Sequence, residues 1–351
     1  MTEIAQVLAA HAPPAATALV ARGDEVAVAV FGAASRDSIF RIASLTKPIT
    51  AATVMLLVAD GLLSLDEPIS RFLPELAAPA VLRTPESAVD DVVPLEREIT
   101  VRDVLESRAG WGFPSDFTLP AVQLLFQEAF AFGRPFSGAD EWVAGLARVP
   151  LLAQPGELWP YNACSDLQGA LVERVTGRPL SEVMAERIFG PLGMTDTAFF
   201  TPPEKRSRRP AYYDADLQGI DPALDRYDDP PGFASGAGGL VSTADDWLAF
   251  GRMLLAEGGG VLSAEAVRLM SSDHLTAEQR AASTLFLDGK GWGYGGSVDL
   301  ETGRYGWVGG TGTTAHVVPA TGTVAILLTQ VQMPGPVPTP IMRDFWRAAG
   351  V

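Results

Sequence analysis

Ser44 and Lys47 stand three residues apart where a helix-length apolar segment begins, and Gly61 closes that segment as a typical helix stop. Residues at this spacing share one helix face, so the two side chains can touch. The apolar flanks would partly desolvate the lysine, which disfavours its charged form and suits it to act as a base beside a nucleophilic serine. Unpaired amides at the helix start would also face negative charge that develops beside Ser44.

The same two residues have a plain structural interpretation, in which the serine caps the helix and the lysine is solvated. S-x-x-K is a short pattern that arises by chance. However, only three of the 26 basic residues are lysine, so an incidental lysine at an apolar helix start is less expected. Arginine could not replace it as a base, because arginine does not lose its proton. The composition therefore favours the chemical interpretation.

Two later segments suit the same chemistry. Tyr161 ends a turn-rich loop just before a helix, and a tyrosine can act as a general base when a cation such as Lys47 holds it as phenolate. The alternative is a core tyrosine whose hydroxyl is satisfied. Trp307, Val308 and Gly309 lead a strand into a run of glycines, where a substrate can approach the backbone and an amide can serve as an oxyanion donor.

Composition limits the classes of partner. The chain of 351 residues is 47% hydrophobic and 19% charged, which is typical of a globular protein with a substantial core. Its net charge of −16 disfavours nucleic acid. Thr53 and Asp60 interrupt the best candidate for a membrane span. We therefore expect neither a nucleic-acid nor a membrane partner.

The cysteine, the histidines and the N-terminal residues indicate which compartment the protein occupies and whether it binds a metal ion. The single cysteine, Cys164, fits a reducing compartment and is typical of a buried core residue, with a nucleophilic role as the alternative. His11, His274 and His316 lie far apart and form no metal-binding pattern. No basic residue precedes Arg22, unlike in a secretory signal. We expect a cytoplasmic protein without metal or cofactor.

Short strands are predicted near both ends of the chain, with helices and loops between them. The strands are predicted at 16–21, 26–31, 291–298, 304–308, 315–318 and 323–330, and a final helix at 340–349. Further helices are predicted at 1–12, 165–176 and 243–256. The pattern predicts an α+β fold in which residues 1–61 and 281–351 form one sheet region and residues 62–280 a mainly helical insertion.

Five segments in this order resemble the serine beta-lactamase and penicillin-binding-protein superfamily, in particular its class C-like branch with the family VIII carboxylesterases. They are residues 40–47, 61–68, 155–161, 189–197 and 238–243. The resemblance covers nearly the whole chain. It implies a beta-lactamase/transpeptidase-like fold, with an antiparallel sheet flanked by helices beside a helical region and the site between them.

The resemblance also implies roles for individual residues. Ser44 would be the acylated nucleophile, Lys47 its partner in proton transfer, and Tyr161 the catalytic tyrosine that acts on the serine in acylation and on water in deacylation. The backbone amides of Ser44 and Gly310 would form the oxyanion hole. Which of Lys47 and Tyr161 first takes the serine proton stays open, because such groups titrate as a coupled pair.

Two departures from the lactamase pattern narrow the expected substrate. Class C lactamases have Tyr-x-Asn, whereas this chain has Tyr161, Asn162 and Ala163, so Asn162 is the remaining candidate for a substrate-binding amide. Lactamases and transpeptidases have Lys-Thr-Gly where this chain has Trp307-Val308-Gly309, as family VIII esterases have W-x-G. Losing that lysine removes a charged contact to a substrate carboxylate worth about 1.5 to 3 kcal/mol.

These departures predict a serine hydrolase that cleaves small neutral carboxylic esters through an acyl-Ser44 intermediate, with Trp307, Val308, Gly309 and Asn162 contacting the substrate. Two alternatives stay open. One is a class C-like beta-lactamase or a D-amino-acid peptidase or amidase. The other is a non-catalytic binder or sensor that is acylated at Ser44 without turnover.

Overall fold

The computed structural model describes residues 3–130, 135–221 and 227–351. The strands in these residues are β1 (Ala15–Arg22), β2 (Glu25–Gly32), β3 (Phe40–Arg41), β4 (Val81–Leu82), β5 (Val92–Val93), β6 (Val241–Ser242), β7 (Gly291–Trp292), β8 (Ser297–Val298), β9 (Tyr305–Gly309), β10 (Thr313–Val318) and β11 (Thr323–Thr329). The α-helices are α1 (Glu3–His11), α2 (Thr46–Ala59), α3 (Val101–Leu105), α4 (Pro120–Glu128), α5 (Ala139–Leu146), α6 (Ala163–Thr176), α7 (Leu180–Met184), α8 (Gly190–Leu192), α9 (Ala244–Leu255), α10 (Ala264–Met270), α11 (Ala277–Ala282), α12 (Thr284–Leu287) and α13 (Pro340–Ala349).

A seven-stranded sheet in the order β2-β1-β11-β10-β9-β8-β7 organises the chain, and its neighbouring strands pair antiparallel. Strand β1 pairs along its length with β11, so that Ala16 lies opposite Thr329 and Arg22 opposite Thr323. The sheet therefore joins the two ends of the chain, and the predicted α+β fold is confirmed. The division of the chain into two regions at residues 61 and 281 stays a prediction.

Both faces of the central strands are buried. On β1, Ala16, Ala18 and Val20 pack into a rear core with α1 and α13, whereas Leu19 and Ala21 belong to the main core on the opposite face. This burial explains why the sequence of β1 is a continuous run of apolar residues instead of an alternation of apolar and polar residues. Apolar side chains of α2, α6 and α9 also belong to the main core.

Helix α9 lies directly against the sheet, although the sequence grouped it with the helical insertion. It contacts β1, β10 and β11. A Cβ added at Gly251 would lie 2.8 Å from the nearest Val324 methyl group, so the missing side chain allows this close approach. Thr243 caps the start of α9, because its hydroxyl accepts a hydrogen bond from the Asp246 amide at 3.1 Å.

The prediction of one strand over 291–298 is wrong. The chain turns within this segment, so that β7 and β8 pair with each other as a short hairpin. Gly295 has a φ of +78°, and a Cβ there would clash with the Lys47 carbonyl oxygen. The glycines of the segment thus form a turn that packs against the start of α2. None of the helices in the described residues is both long and apolar enough to cross a membrane.

His316 is a buried titratable group on β10 whose ring lies edge-on to Trp346 at 5.3 Å. Burial is the main cause that holds the pKa of its imidazole well below the usual value, and Arg304 and Lys290 lower it further. In the unfolded chain His316 takes up a proton as the pH falls through about 6.5, whereas in the folded chain the imidazole stays neutral. Protonation therefore favours the unfolded chain, and His316 lowers the free energy of unfolding as the pH falls.

We expect this pH dependence to weaken in His316→Gln. Between pH 7.5 and pH 5 the free energy of unfolding of the unmodified protein should fall by about 2 kcal/mol more than that of the variant. Urea unfolding of both proteins at the two pH values measures the difference. If the free energy of unfolding fell equally in both proteins, the result would contradict a neutral, buried imidazole at His316.

Candidate active site

Ser44 lies in a short 3-10 turn, Ala43–Leu45, immediately before α2. Ala43 has a φ of +44°, a left-handed conformation that costs energy in a residue with a Cβ. The Thr46 hydroxyl donates to the Ala43 carbonyl oxygen at 2.7 Å and so fixes the turn from the helix side. The turn leaves Ser44 half-buried, with its hydroxyl accessible to the lysine that follows.

The C-terminal hairpin β9-β10 holds this turn from the other side. Thr311 Oγ1 donates to the Arg41 carbonyl oxygen at 2.5 Å, and Thr313 Oγ1 donates to the Ile42 carbonyl oxygen at 3.0 Å. A Cβ at Gly309 would lie 2.5 Å from the Ile42 carbonyl oxygen. The glycine therefore allows the end of β9 to lie directly against the serine turn.

Lys47 is fully buried, and its ammonium group has three hydrogen-bond partners. Nζ donates to Ser44 Oγ at 2.9 Å, to Asn162 Oδ1 at 2.7 Å and to the Ala237 carbonyl oxygen at 2.6 Å. Nζ also lies 4.6 Å from the centre of the Tyr161 ring. The spacing of Ser44 and Lys47 thus brings them into contact, as the sequence predicted.

These partners define how a neutral Lys47 would be oriented. An amine keeps two N–H donors and one lone pair. The Asn162 and Ala237 oxygens can only accept hydrogen bonds, so they take the two N–H groups and leave the lone pair facing Ser44 Oγ. The Ser44 hydroxyl can then donate to Nζ, which is the arrangement that a base needs in order to accept the serine proton.

Tyr161 is held beside this pair from two sides. Its amide and carbonyl groups exchange hydrogen bonds with those of Phe113, each at 2.8 Å. Its hydroxyl oxygen accepts a hydrogen bond from the Trp307 indole Nε1 at 2.7 Å. The structure therefore brings Ser44, Lys47, Tyr161 and Trp307 together, as the sequence predicted for the site as a whole.

Asn162 precedes α6 in a strained conformation, with φ of +85° and ψ of −61°. Asparagine tolerates positive φ better than most residues with a Cβ. The side chain accepts a hydrogen bond from Lys47, a partner that the sequence did not identify. Its proposed contact with substrate stays a prediction.

Asn162→Gly is expected to separate the role of the amide from that of the backbone, because glycine adopts positive φ at no steric cost. The variant should keep the melting temperature within a few degrees, while kcat falls about 10-fold because Lys47 loses one of the acceptors that orient it. Thermal unfolding and steady-state kinetics measure the two effects. Unchanged kcat would show that Asn162 does not orient Lys47.

The glycine-rich segment 235–238 forms the wall behind Lys47, and it is held by a buried carboxylate. Asp166 Oδ1 accepts hydrogen bonds from Ser235 Oγ at 2.6 Å and from the Ala237 amide at 3.0 Å. Burial raises the pKa of the Asp166 carboxyl, and the nearby Lys47 charge opposes that rise. The Ala237 carbonyl was not predictable, because a backbone acceptor has no signature in the sequence.

The resemblance assigns the oxyanion hole to the backbone amides of Ser44 and Gly310. The Ser44 amide is in the first turn of its 3-10 helix, where an amide has no acceptor in a preceding turn. Gly310 follows β9 and is exposed, and β9 packs against the serine turn. Their role as a pair of donors stays a prediction. Val308 is half-buried and packs against both cores, and its contact with substrate stays a prediction as well.

A surface of aromatic rings continues outward from Tyr161. The Phe286 ring lies 4.7 Å from that of Tyr161, and Phe117 lies 6.0 Å from Phe286. Phe113 continues the series 5.8 Å from Phe117. These phenylalanines are half-buried, so part of each ring faces solvent. The site therefore adjoins an apolar surface that suits uncharged groups of a substrate.

Comparison with known proteins agrees with this geometry. The family model described as Beta-lactamase matches residues 2–344. The chain belongs to the beta-lactamase family. Within that family it is 33% identical over 305 residues to lovastatin esterase of Penicillium rubens, covering 78% of this chain and 75% of the relative. It is 31% identical over 334 residues to esterase EstB of Burkholderia gladioli, covering 85% and 79%.

A solved structure supports the beta-lactamase fold independently. EstCE1, described as a hydrolase with promiscuous acyltransferase activity, superimposes with a TM-score of 0.81 at 23% identity, covering 99% of this chain and 96% of EstCE1. At this identity the likeness shows the fold alone. The resemblance to the beta-lactamase and penicillin-binding-protein superfamily that the sequence predicted is thus confirmed.

The single cysteine of the chain follows Asn162 and Ala163, but its surroundings do not activate it as a nucleophile. Cys164 is buried on α6, and burial raises the pKa of its thiol to about 12. A protonated thiol is a poor nucleophile. The prediction that Cys164 is a core residue is confirmed.

Proposed function

We propose that the chain is a serine hydrolase that cleaves small neutral carboxylic esters through an acyl-Ser44 intermediate. The observation that carries the proposal is the Lys47 ammonium group, which is 2.9 Å from Ser44 Oγ and otherwise bound to the uncharged oxygens of Asn162 and Ala237. A lysine whose contacts are a hydroxyl and two neutral oxygens is arranged for proton transfer rather than for a salt bridge.

In the proposed acylation, Ser44 Oγ attacks the ester carbonyl carbon while the Lys47–Tyr161 pair takes the serine proton. The carbonyl oxygen becomes an oxyanion that the amides of Ser44 and Gly310 stabilise. Tyr161 then gives a proton to the departing alcohol oxygen. Water attacks the acyl-serine in the same way, releases the acid and restores the Ser44 hydroxyl.

The choice of neutral esters rests on the surroundings of the site. Trp307 stands where the resembling lactamases have a lysine, so the counter-charge for a substrate carboxylate is replaced by an indole. The Phe286, Phe117 and Phe113 rings add an apolar surface beside Tyr161, and a net charge of −16 repels anions at long range. Two relatives above 30% identity are named esterases, which supports ester hydrolysis.

We place the protein in the cytoplasm because its single cysteine fits a reducing compartment. Its partner is a small-molecule ester, and its charge disfavours nucleic acid. We propose no membrane partner.

Parallel assays with p-nitrophenyl butyrate and nitrocefin test the function. We expect sustained hydrolysis of the ester and a kcat/KM for nitrocefin about 10- to 100-fold lower, since the lysine contact to a carboxylate is missing. Nitrocefin turnover that matches ester turnover would favour the lactamase alternative. A single stoichiometric burst of p-nitrophenol without further turnover would favour the sensor alternative.

A further inference from the structure

The glycine-rich segment behind Lys47 lies between two helices. A Cβ added at Gly236 would clash with the Ser165 carbonyl oxygen on α6 and would lie 2.9 Å from the Thr50 methyl carbon on α2. The missing side chain therefore lets the segment lie close to both helices. In this position the Ala237 carbonyl oxygen accepts the Lys47 hydrogen bond at 2.6 Å.

Two polar side chains, one on each helix, hold this segment in place. On α6, Asp166 Oδ1 accepts hydrogen bonds from the Ser235 hydroxyl at 2.6 Å and from the Ala237 amide at 3.0 Å. On α2, the Thr50 hydroxyl donates to the Gly236 carbonyl oxygen at 2.7 Å. Asp166 is therefore bound to the same residue that supplies an acceptor for the lysine.

Both acceptors that orient Lys47 depend on the first turn of α6. Asn162 precedes the helix and supplies its own Oδ1, whereas Asp166, four residues later, binds the Ala237 amide. A neutral lysine amine has two N–H groups, and these two acceptors take both of them. A displacement of either acceptor by about 1 Å would turn the lone pair of the amine away from Ser44 Oγ.

We propose that Asp166 and Thr50 are positioning residues for the reaction at Ser44. They hold the Ala237 carbonyl oxygen in place as an acceptor for Lys47, and this acceptor keeps the amine lone pair directed at the serine. Asp166 acts through the two hydrogen bonds that it accepts and not through its charge. The proposal rests on the proposed function, because it concerns the lysine that takes part in proton transfer.

Asp246 on α9 has the same kind of environment at another place in the fold. Its carboxylate is also buried, and Oδ2 accepts hydrogen bonds from the Asp196 amide and from the Thr197 hydroxyl, each at 2.8 Å. Burial raises the pKa of the Asp246 carboxyl, as it does for Asp166. The segment that Asp246 holds contains none of the three hydrogen-bond partners of Lys47 named above. Asp246 is therefore a matched control for the loss of a buried carboxylate.

Asp166→Ala and Asp166→Asn test the proposal with p-nitrophenyl butyrate, because alanine removes both hydrogen bonds and asparagine keeps an oxygen that can accept them. We expect kcat to fall about 10-fold in Asp166→Ala, with KM changed by less than about twofold. Asp166→Asn should restore kcat to within about twofold of the unmodified protein. Thr50→Val removes only the hydroxyl that holds Gly236, and it should lower kcat about threefold.

Labelling with a fluorophosphonate separates positioning from general damage, because its rate constant and its final extent are measured independently. A misdirected Lys47 lowers the rate constant with which Ser44 reacts, whereas partial unfolding lowers the fraction of protein that is labelled. For Asp166→Ala we expect the rate constant to fall about as far as kcat, with the folded protein labelled to completion. Asp246→Ala should melt earlier but keep the rate constant within about twofold.

Three results would overturn the proposal. The first is an unchanged labelling rate constant in Asp166→Ala. The second is a kcat for Asp166→Asn as low as that of Asp166→Ala, since the charge would then matter and not the hydrogen bonds. The third is an unchanged kcat and labelling rate constant in Thr50→Val, and this result is decisive even if Asp166→Ala does not fold. Failure of the proposed function itself would appear separately, as absence of ester turnover in the unmodified protein.

Discussion

Ser44→Ala is expected to lower kcat/KM for p-nitrophenyl butyrate by about 10⁴-fold or more, because the proposed acyl-enzyme cannot form without Oγ. The fold should survive the change. Ser44 is half-buried, and the hydrogen bonds that fix its turn come from Thr46, Thr311 and Thr313 rather than from Oγ. Thermal unfolding of the variant should therefore match that of the unmodified protein.

Covalent labelling gives a second readout for the same residue. A fluorophosphonate should label the unmodified protein at one site with complete loss of turnover, and it should not label Ser44→Ala. Ser115→Ala is a suitable control, because Ser115 is an exposed serine whose hydroxyl bonds the Ala282 carbonyl oxygen. Ser44→Ala activity within about 10-fold of the unmodified protein would rule out Ser44 as the nucleophile.

Lys47→Arg and Lys47→Met are each expected to lower kcat by about 10³-fold or more. Arginine keeps the positive charge but does not release a proton, so it tests whether proton transfer is needed. Methionine has a similar length without charge, and it leaves the Asn162 and Ala237 oxygens without their donor. Each unsatisfied buried acceptor costs about 1 to 3 kcal/mol, so this variant should also melt earlier.

Steady-state kinetics, thermal unfolding and the rate of fluorophosphonate labelling distinguish the roles of Lys47. Loss of labelling in both variants would mean that Lys47 activates Ser44 for attack. If Lys47→Arg kept most of its turnover, charge alone would suffice, and Lys47 would not be the base. Lys205→Met is a control for the loss of one lysine, because Lys205 pairs with Asp196.

The parts of the site that were predictable from sequence depend on side-chain spacing. Ser44 and Lys47 touch because residues three apart share a helix face. The strands near both ends were recognisable from apolar runs bounded by turn residues. Trp307 and Tyr161 were identified as site residues from their loop and strand contexts, but their hydrogen bond was not.

The parts that were not predictable depend on backbone conformation and tertiary packing. Ala43 adopts positive φ, although alanine gives no signal for that conformation. Asn162 has a positive φ and its side chain contacts Lys47, and the sequence predicted neither feature. The Ala237 carbonyl has no side-chain signature, and the turn within 291–298 depends on packing against α2.

The pairing of β1 with β11 affects the order in which the protein can be made. Strand β1 leaves the ribosome about 300 residues before its partner, which corresponds to a delay of about 15 to 60 s at ordinary rates of synthesis. During that time β1 has β2 on one edge and α1 on one face, while its other edge lacks β11 and the face toward α1 lacks α13. Rapid overproduction should therefore favour aggregation of incomplete chains, and slower synthesis at low temperature should raise the yield of active protein.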